Sequence, residues 1–137
     1  MKFYGIELDE NTAHCKSIVD DLESIVNGEL LTDENGDLYD LKKVDKCVQC
    51  EYIERMELEY YSLFDYFEDV LDIKYLVDYR REYAGIELLV ACGGPNIYVS
   101  TISGKVELYW WGDTASWNIP GSVQDAINDF GEELFNC

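Results

Sequence analysis

The chain has 137 residues, of which 47% are hydrophobic and 14% aromatic, and its 29 acids against 10 bases leave a formal net charge of −19. An apolar share this large excludes a disordered acidic tail, and the length fits one domain with a real core. Charge of this sign opposes contact with nucleic acid or anionic lipid and points to basic surfaces or cations as partners.

The charge is uneven: residues 1–72 hold 20 acids and 6 bases, whereas residues 73–137 hold 9 and 4. The opening "MKFYGIELDE" lacks the apolar stretch of a secretory signal and reads as a short strand. Residues 12–27, "TAHCKSIVDDLESIVN", place Cys15, Ile18, Val19, Leu22, Ile25 and Val26 on one helical face. Asn11 or Thr12 is the expected cap, and Gly28 suits a left-handed stop. In "ELLTDENGDLYDL", Asn35-Gly36 predicts a hairpin turn.

Residues 47–60 alternate. Val48, Cys50, Tyr52, Met56, Leu58 and Tyr60 share one side, opposite Glu51, Arg55, Glu57 and Glu59. This reads as a strand, although Ile53, Met56, Tyr60 and Leu63 also fit a helical period. The stretch "SLFDYFEDVLD", residues 62–72, is expected to be a short helix capped by Ser62 with Asp65, burying Leu63, Phe64, Phe67, Val70 and Leu71. On it Asp65, Glu68, Asp69 and Asp72 fall at i, i+3, i+4 and i+7, so the four carboxylates would share one side.

Strands follow. Ile73, Tyr75, Val77 and Tyr79 alternate, as do Ile86, Leu88, Val90 and Cys92. "NIYVSTISGKVELYWW" predicts a hairpin closing on Ser103-Gly104, with Ile97 facing Trp110, Val99 facing Leu108 and Thr101 facing Val106. Tyr98 would face Tyr109, and Ser100 would face Glu107, on the other side. Pro120 and Ser122 open a last helix with Val123, Ala126, Ile127, Phe130 and Leu134 inward; its Gly131 costs up to about 1 kcal/mol relative to Ala. The fold class is α+β, a mostly antiparallel sheet with helices packed against it, in a single domain over residues 1–137.

No catalytic set stands out. Cys47-Val-Gln-Cys50 lies on the expected strand, without the βαβ unit of a redox motif and without the second ligand pair of a zinc site. His14, the only histidine, has no partner at catalytic spacing. In "DENGDLYD" the calcium-loop register would put Leu31 first and Lys42 twelfth, both wrong ligands. Adjacent acids such as Glu132-Glu133 fit a solvated surface better than a glycosidase pair. "CGGPN" lacks the lysine and following helix of a phosphate loop. Tyr98, Tyr109 and Trp111 are expected to share a sheet face and form a prospective stacking platform, but almost no basic residues that would track a nucleic-acid backbone lie nearby, so burial under a helix is the favoured reading. No metal or cofactor is expected, and no catalytic residue is assigned.

The segments "FDYFEDVLDIKY", "ACGGPNIYVSTISGKVELYWWGD" and "DFGEELFNC" resemble a group of small acidic proteins encoded by phages and mobile elements of Gram-positive gut bacteria. The resemblance spans roughly residues 62–137, with residues 44–61 as an elaboration outside it. It carries no catalytic residues over. What it implies is context: an anti-CRISPR or anti-restriction inhibitor in the cytoplasm of a bacterial host. The odd count of five cysteines and the lack of an apolar run near 18 residues agree with a reducing compartment and no membrane span.

The expected function is therefore non-enzymatic: a DNA mimic that occupies the basic cleft of a nucleic-acid-binding protein such as a Cas nuclease or restriction enzyme. Asp65, Glu68, Asp69 and Asp72 would replace phosphates, with Glu51, Glu57, Glu59, Asp20, Asp21 and Glu23 extending the field. Tyr61, Tyr66 and Trp111 are candidate anchors, because charge at an interface rim mainly raises the association rate. Two other classes stay open: a small-ligand binder, for a nucleotide signal, built on Tyr98, Tyr109 and Trp111, and a plain protein-interaction module. For each acid, an ordinary solvated surface is the competing account.

Overall fold

A computed structural model describes residues 2–3 and 6–137. It is an α+β fold, in which the main sheet has five antiparallel strands in the order β10-β9-β8-β7-β6. These are β6 (Asp72–Val77), β7 (Tyr83–Ala91), β8 (Asn96–Ser100), β9 (Lys105–Trp110) and β10 (Asp113–Asn118). The helices α1 (Glu10–Val26) and α4 (Gly121–Phe135) lie on one face of it. There Ile86, Leu88, Ile97, Val99, Val106 and Leu108 meet Cys15, Val19 and Leu22 of α1 and Val123, Ile127 and Phe130 of α4, all buried. Burying one such aliphatic side chain is worth about 1.5–3 kcal/mol, so this layer dominates the stability.

A smaller sheet, in the order β4-β3-β5, holds β3 (Leu30–Thr32), β4 (Leu38–Asp40) and β5 (Glu59–Tyr60). With α2 (Gln49–Met56) it encloses a second cluster of Leu31, Leu41 and Leu58, flanked by Tyr39, Tyr52 and Ile53. The short α3 (Leu63–Tyr66) leads back to the main sheet. At the start of the chain, β1 (Lys2–Phe3) pairs with β2 (Ile6–Glu7). The single strand expected there is thus two; Tyr4 and Gly5 lie outside the described residues. Among the described residues no helix is long and apolar enough to cross a membrane.

Several expectations need correction. Helix α1 starts earlier than read, because Asp9 is the cap: its carboxylate accepts from the Thr12 N–H at 2.7 Å. The stop at Gly28 is left-handed, with φ +70. The hairpin expected at Asn35-Gly36 forms between β3 and β4, but its connection runs over five residues with Gly36 alone at positive φ; Asp33 organises it by accepting from the N–H groups of Asn35 and Asp37 and from the Tyr39 hydroxyl.

The alternating stretch 47–60 is not a strand but mostly helix. Gln, Glu, Arg and Met favour a helix, and a left-handed Glu57, φ 53, lets the Leu58 N–H reach the Ile53 carbonyl at 3.0 Å. Cys47 and Cys50 therefore sit at the entry to α2 rather than on a strand, as free, exposed thiols.

The hairpin β8–β9 is shifted by two residues from the expected register. Ile97 pairs with Leu108, Val99 with Val106, Tyr98 with Glu107 and Asn96 with Tyr109. Ser100 accepts from the N–H groups of Ile102 and Ser103, which holds a four-residue turn in place of the tight one. A shift of two preserves the faces, so Ile97, Val99, Val106 and Leu108 still share the buried side, while Thr101 falls in the turn and Trp110 is 38% exposed. A bulge at Leu89/Ala91 breaks the β7 alternation and leaves Cys92 exposed. Strand β10 was not expected at all. Its residues are mostly polar, and its signal was the two-residue turn Trp111-Gly112, both at positive φ. In α4, Gly131 packs so closely on β7 that a Cβ would strike the Tyr83 hydroxyl and Ile86.

Candidate acidic interface

The predicted acid stripe does not exist as a helix face. Helix α3 ends at Tyr66, so of the four acids only Asp65 lies on it. Phe67 closes the turn, and the Leu71 N–H bonds the Leu89 carbonyl, which draws the chain into the main sheet. Continuing the helix would have stacked like charges at i, i+4 spacing, whereas Ile73, Tyr75 and Val77 favour a strand. Of the residues expected to be inward, Leu71 is 59% exposed, while Phe64, 47% exposed, keeps its ring 4.8 Å from that of Phe130 on α4.

Asp65 serves the fold first. With Ser62 it forms a full capping box: the Ser62 hydroxyl accepts from the Asp65 N–H at 3.2 Å, and the Asp65 carboxylate accepts from the Ser62 N–H at 2.9 Å. Glu68 and Asp69 follow on the turn and are exposed. The Tyr61 phenol is held above its ordinary range first by burial and then by the charges of Asp65, Glu68 and Asp69. Asp72 opens β6 opposite Leu89, on the sheet face away from α1 and α4. It is not brought to the other three by the helix that was expected.

Helix α1 supplies the second wall. Asp21 lines a cleft of 380 Å³ with His14 and Ser17, facing Asp69, Tyr66 and Val70 across it. The cleft floor is apolar, formed by Ile18, Phe67 and Ile97. Burial pushes the Tyr66 phenol up to about 12, with Asp21 adding to it. Asp21 keeps solvent contact, yet the cleft walls desolvate it in part and raise its carboxyl above the usual range; Asp20 adds to the rise and Lys42 opposes it. Asp20 is tied to Lys16 at 2.7 Å, while Glu23 is exposed on the same helix. The remaining acids lie elsewhere: Glu51 is on α2, Glu57 at its left-handed end and Glu59 on β5, all exposed.

The structure thus brings Asp21, Asp69 and Tyr66 into one cleft, and the charges of Asp65, Glu68 and Asp69 to bear on Tyr61. Sequence reasoning passed over His14 and Ser17 as cleft residues, since the facing turn comes from a segment more than 40 positions away and no local pattern joins them. What the arrangement offers chemically is a carboxylate-edged groove with an apolar base, suited to a cation carried on an aliphatic or planar stem.

Trp111 belongs to a different place. It sits in the β9–β10 turn at φ 50, 86% exposed, with its ring 5.6 Å from that of Trp110. A second cleft of 400 Å³ joins Trp110, Trp111 and Tyr109 to Gly93, Gly94 and Asn96. Tyr98 stands behind, its ring 5.9 Å from Tyr109. Trp111 therefore shares a cleft with Tyr109 but not the sheet face expected for all three. The tyrosines lie on the face opposite α1 and α4 rather than under a helix. Among the described residues no group of three or more His, Cys, Asp or Glu could hold a metal ion. No protein-family model, curated protein or solved structure matches the chain.

Proposed function

We propose that the protein is a non-enzymatic inhibitor that presents the acidic seam between α1 and the α3–β6 turn to the basic cleft of a nucleic-acid-targeting defence enzyme. The observation that carries this reading is the convergence of Asp21, from α1, and Asp69, from the turn, on one solvent-open cleft edged by Tyr66. In a chain of net charge −19, Asp20 is held by Lys16, whereas Asp21, Glu68 and Asp69 keep their exposure to solvent. Such a seam would compete with phosphates by the same counterion-dependent electrostatics that nucleic acid uses. Tyr61 and Tyr66, half-buried beside it, are the anchors that charge alone cannot supply. The defence target is our reading of the pattern over residues 62–137, which resembles small acidic mobile-element proteins.

The test is retention of proteins from a nuclease-treated bacterial lysate on immobilised protein. Mimicry requires a basic nucleic-acid-binding protein that duplex DNA displaces, that leaves as salt rises, and that the triple variant Asp21→Asn, Glu68→Gln, Asp69→Asn no longer retains. Retention indifferent to DNA, salt and these three changes would overturn the reading in favour of ordinary partner binding. A second reading, small-ligand binding, is favoured by the cleft that places Tyr109 and Trp111 beside Gly93 and Gly94. It requires a small molecule that copurifies and is lost in Trp111→Ala.

A further inference from the structure

Strand β6 is an outer strand of the main sheet, and among the described residues no strand pairs with its free side. Exposed strand edges invite pairing, and folded proteins normally blunt them with charge, proline or cover. The two edges of this sheet differ. On β10, Asp113, Thr114, Ser116 and Asn118 are exposed and polar, and α1 packs along the strand. On β6 the exposed residues include Tyr75, Leu76 and Val77, at 36%, 45% and 44%, with Lys74 the only base in the strand.

The order of these residues is self-complementary. Lys74-Tyr75-Leu76-Val77-Asp78 runs from a positive end through three apolar residues to a negative end. When two such segments run antiparallel about a two-fold axis at Leu76, Lys74 stands opposite Asp78 of the other copy, twice. Tyr75 then faces Val77, and Leu76 faces Leu76. Directly opposed side chains lie about 4.5–5.5 Å apart at Cβ, close enough for both charge pairs and the apolar contacts to form. Asp78 already accepts from the N–H groups of Arg80 and Glu82 through one carboxylate oxygen, which fixes the side chain and leaves the other oxygen for Lys74.

Electrostatics selects the same place. Two molecules of charge −19 repel wherever acids face acids, but residues 72–82 carry three acids (Asp72, Asp78, Glu82) and three bases (Lys74, Arg80, Arg81). Their local sum is zero. A two-fold contact is also the commonest closed assembly and consumes the edge completely, so it does not propagate into a fibre.

We propose that the chain forms a homodimer by antiparallel pairing of β6 with β6 of a second copy, in the register centred on Leu76. The proposal is independent of the acidic-seam reading, which concerns α1 and the α3–β6 turn.

Sedimentation equilibrium on the full chain tests it, together with amide hydrogen exchange. The wild type is expected to pass from monomer to dimer as concentration rises, more readily when salt screens the residual repulsion. Protection of the outward amides within residues 74–78 should rise in step. Leu76→Lys places two ammonium groups across the axis, and Lys74→Asp turns both end pairs repulsive. Each should weaken association about tenfold or more. Both positions are exposed, so circular dichroism should show the fold kept. A wild type that stays monomeric at every concentration would overturn the proposal, as would a dimer that both variants leave intact, or one whose protection appears outside β6. An edge used by a foreign strand instead would give the monomeric result.

Discussion

The main sheet and the 29–61 segment are built from similar alternating sequence, yet one is held by its residues and the other by its turns. In the large sheet, six buried side chains of β7, β8 and β9 lock against two helices. In the small unit, three buried leucines carry the packing, and α2 has no buried residue at all. Its shape depends on local devices: the Asp33-centred loop, the left-handed Glu57, the Gln49 side chain donating to the carbonyls of Leu41 and Val44 at 3.0 and 3.1 Å, and the Lys42 amino group donating to buried Ser24 at 2.8 Å. Alternation therefore signals a strand only where one side of it is buried.

Truncating one leucine in each unit exposes this difference most strongly. Leu88→Ala opens a cavity in the large core and is expected to lower global stability by about 2–5 kcal/mol, read by chemical denaturation. Leu31→Ala removes one of only three buried leucines from the small core. It should release hydrogen exchange over residues 29–61 while β7–β9 remain protected, because local opening there need not cross the larger core. If Leu31→Ala instead loosens β7–β9 to the same degree, the two clusters are one cooperative unit and the contrast fails.

The legibility of the sequence follows the same division. Helix α1, helix α4 and the inward residues of β7–β9 were readable, because burial imposes a period on them and a register shift of two leaves it intact. The α2 segment was misread because its few apolar residues fit both periods, and because a glutamate rather than a glycine fills the left-handed position. Strand β10 was invisible because an outer strand can be polar. At the site, each acid was identifiable as an acid, but the supposed stripe assumed a helix that ends after one turn. The meeting of Asp21 with Asp69 is a tertiary event, set by how α1 crosses the sheet, and no spacing within either segment encodes it.

A smaller effect should come from Gly131, where helix propensity and packing pull in opposite directions. Alanine is the better helix former by up to about 1 kcal/mol, so an exposed position would gain. Here the added methyl meets the Tyr83 hydroxyl and Ile86, both held by the sheet, and overpacking of this kind costs about 1–3 kcal/mol. Gly131→Ala is thus expected to be net destabilising in thermal and denaturant unfolding. A stabilised variant would mean that the α4–β7 contact yields easily, and that the large core is less rigid than its burial implies.

The smallest effect is the one that ties stability to the site. Asp21 has its carboxyl raised above the ordinary carboxylate range by partial burial, and next by Asp20. The folded state therefore holds the proton more tightly than the unfolded chain does. Its contribution to stability is largest below the unfolded pKa and declines as pH rises through the interval up to the raised folded value. At neutral pH the ionised carboxylate consequently opposes folding slightly, and Asp21→Asn should raise the denaturation midpoint there while removing that decline from the acid limb. Asp33 makes the control, since its pKa is lowered by the Tyr39 hydroxyl and its stabilising effect is lost as pH falls through the depressed value. If Asp21→Asn stabilises the fold yet weakens retention of a basic partner, the charge at this position is maintained against the interest of the fold. An Asp21→Asn protein that is no more stable at neutral pH would instead place Asp21 among the merely solvated acids.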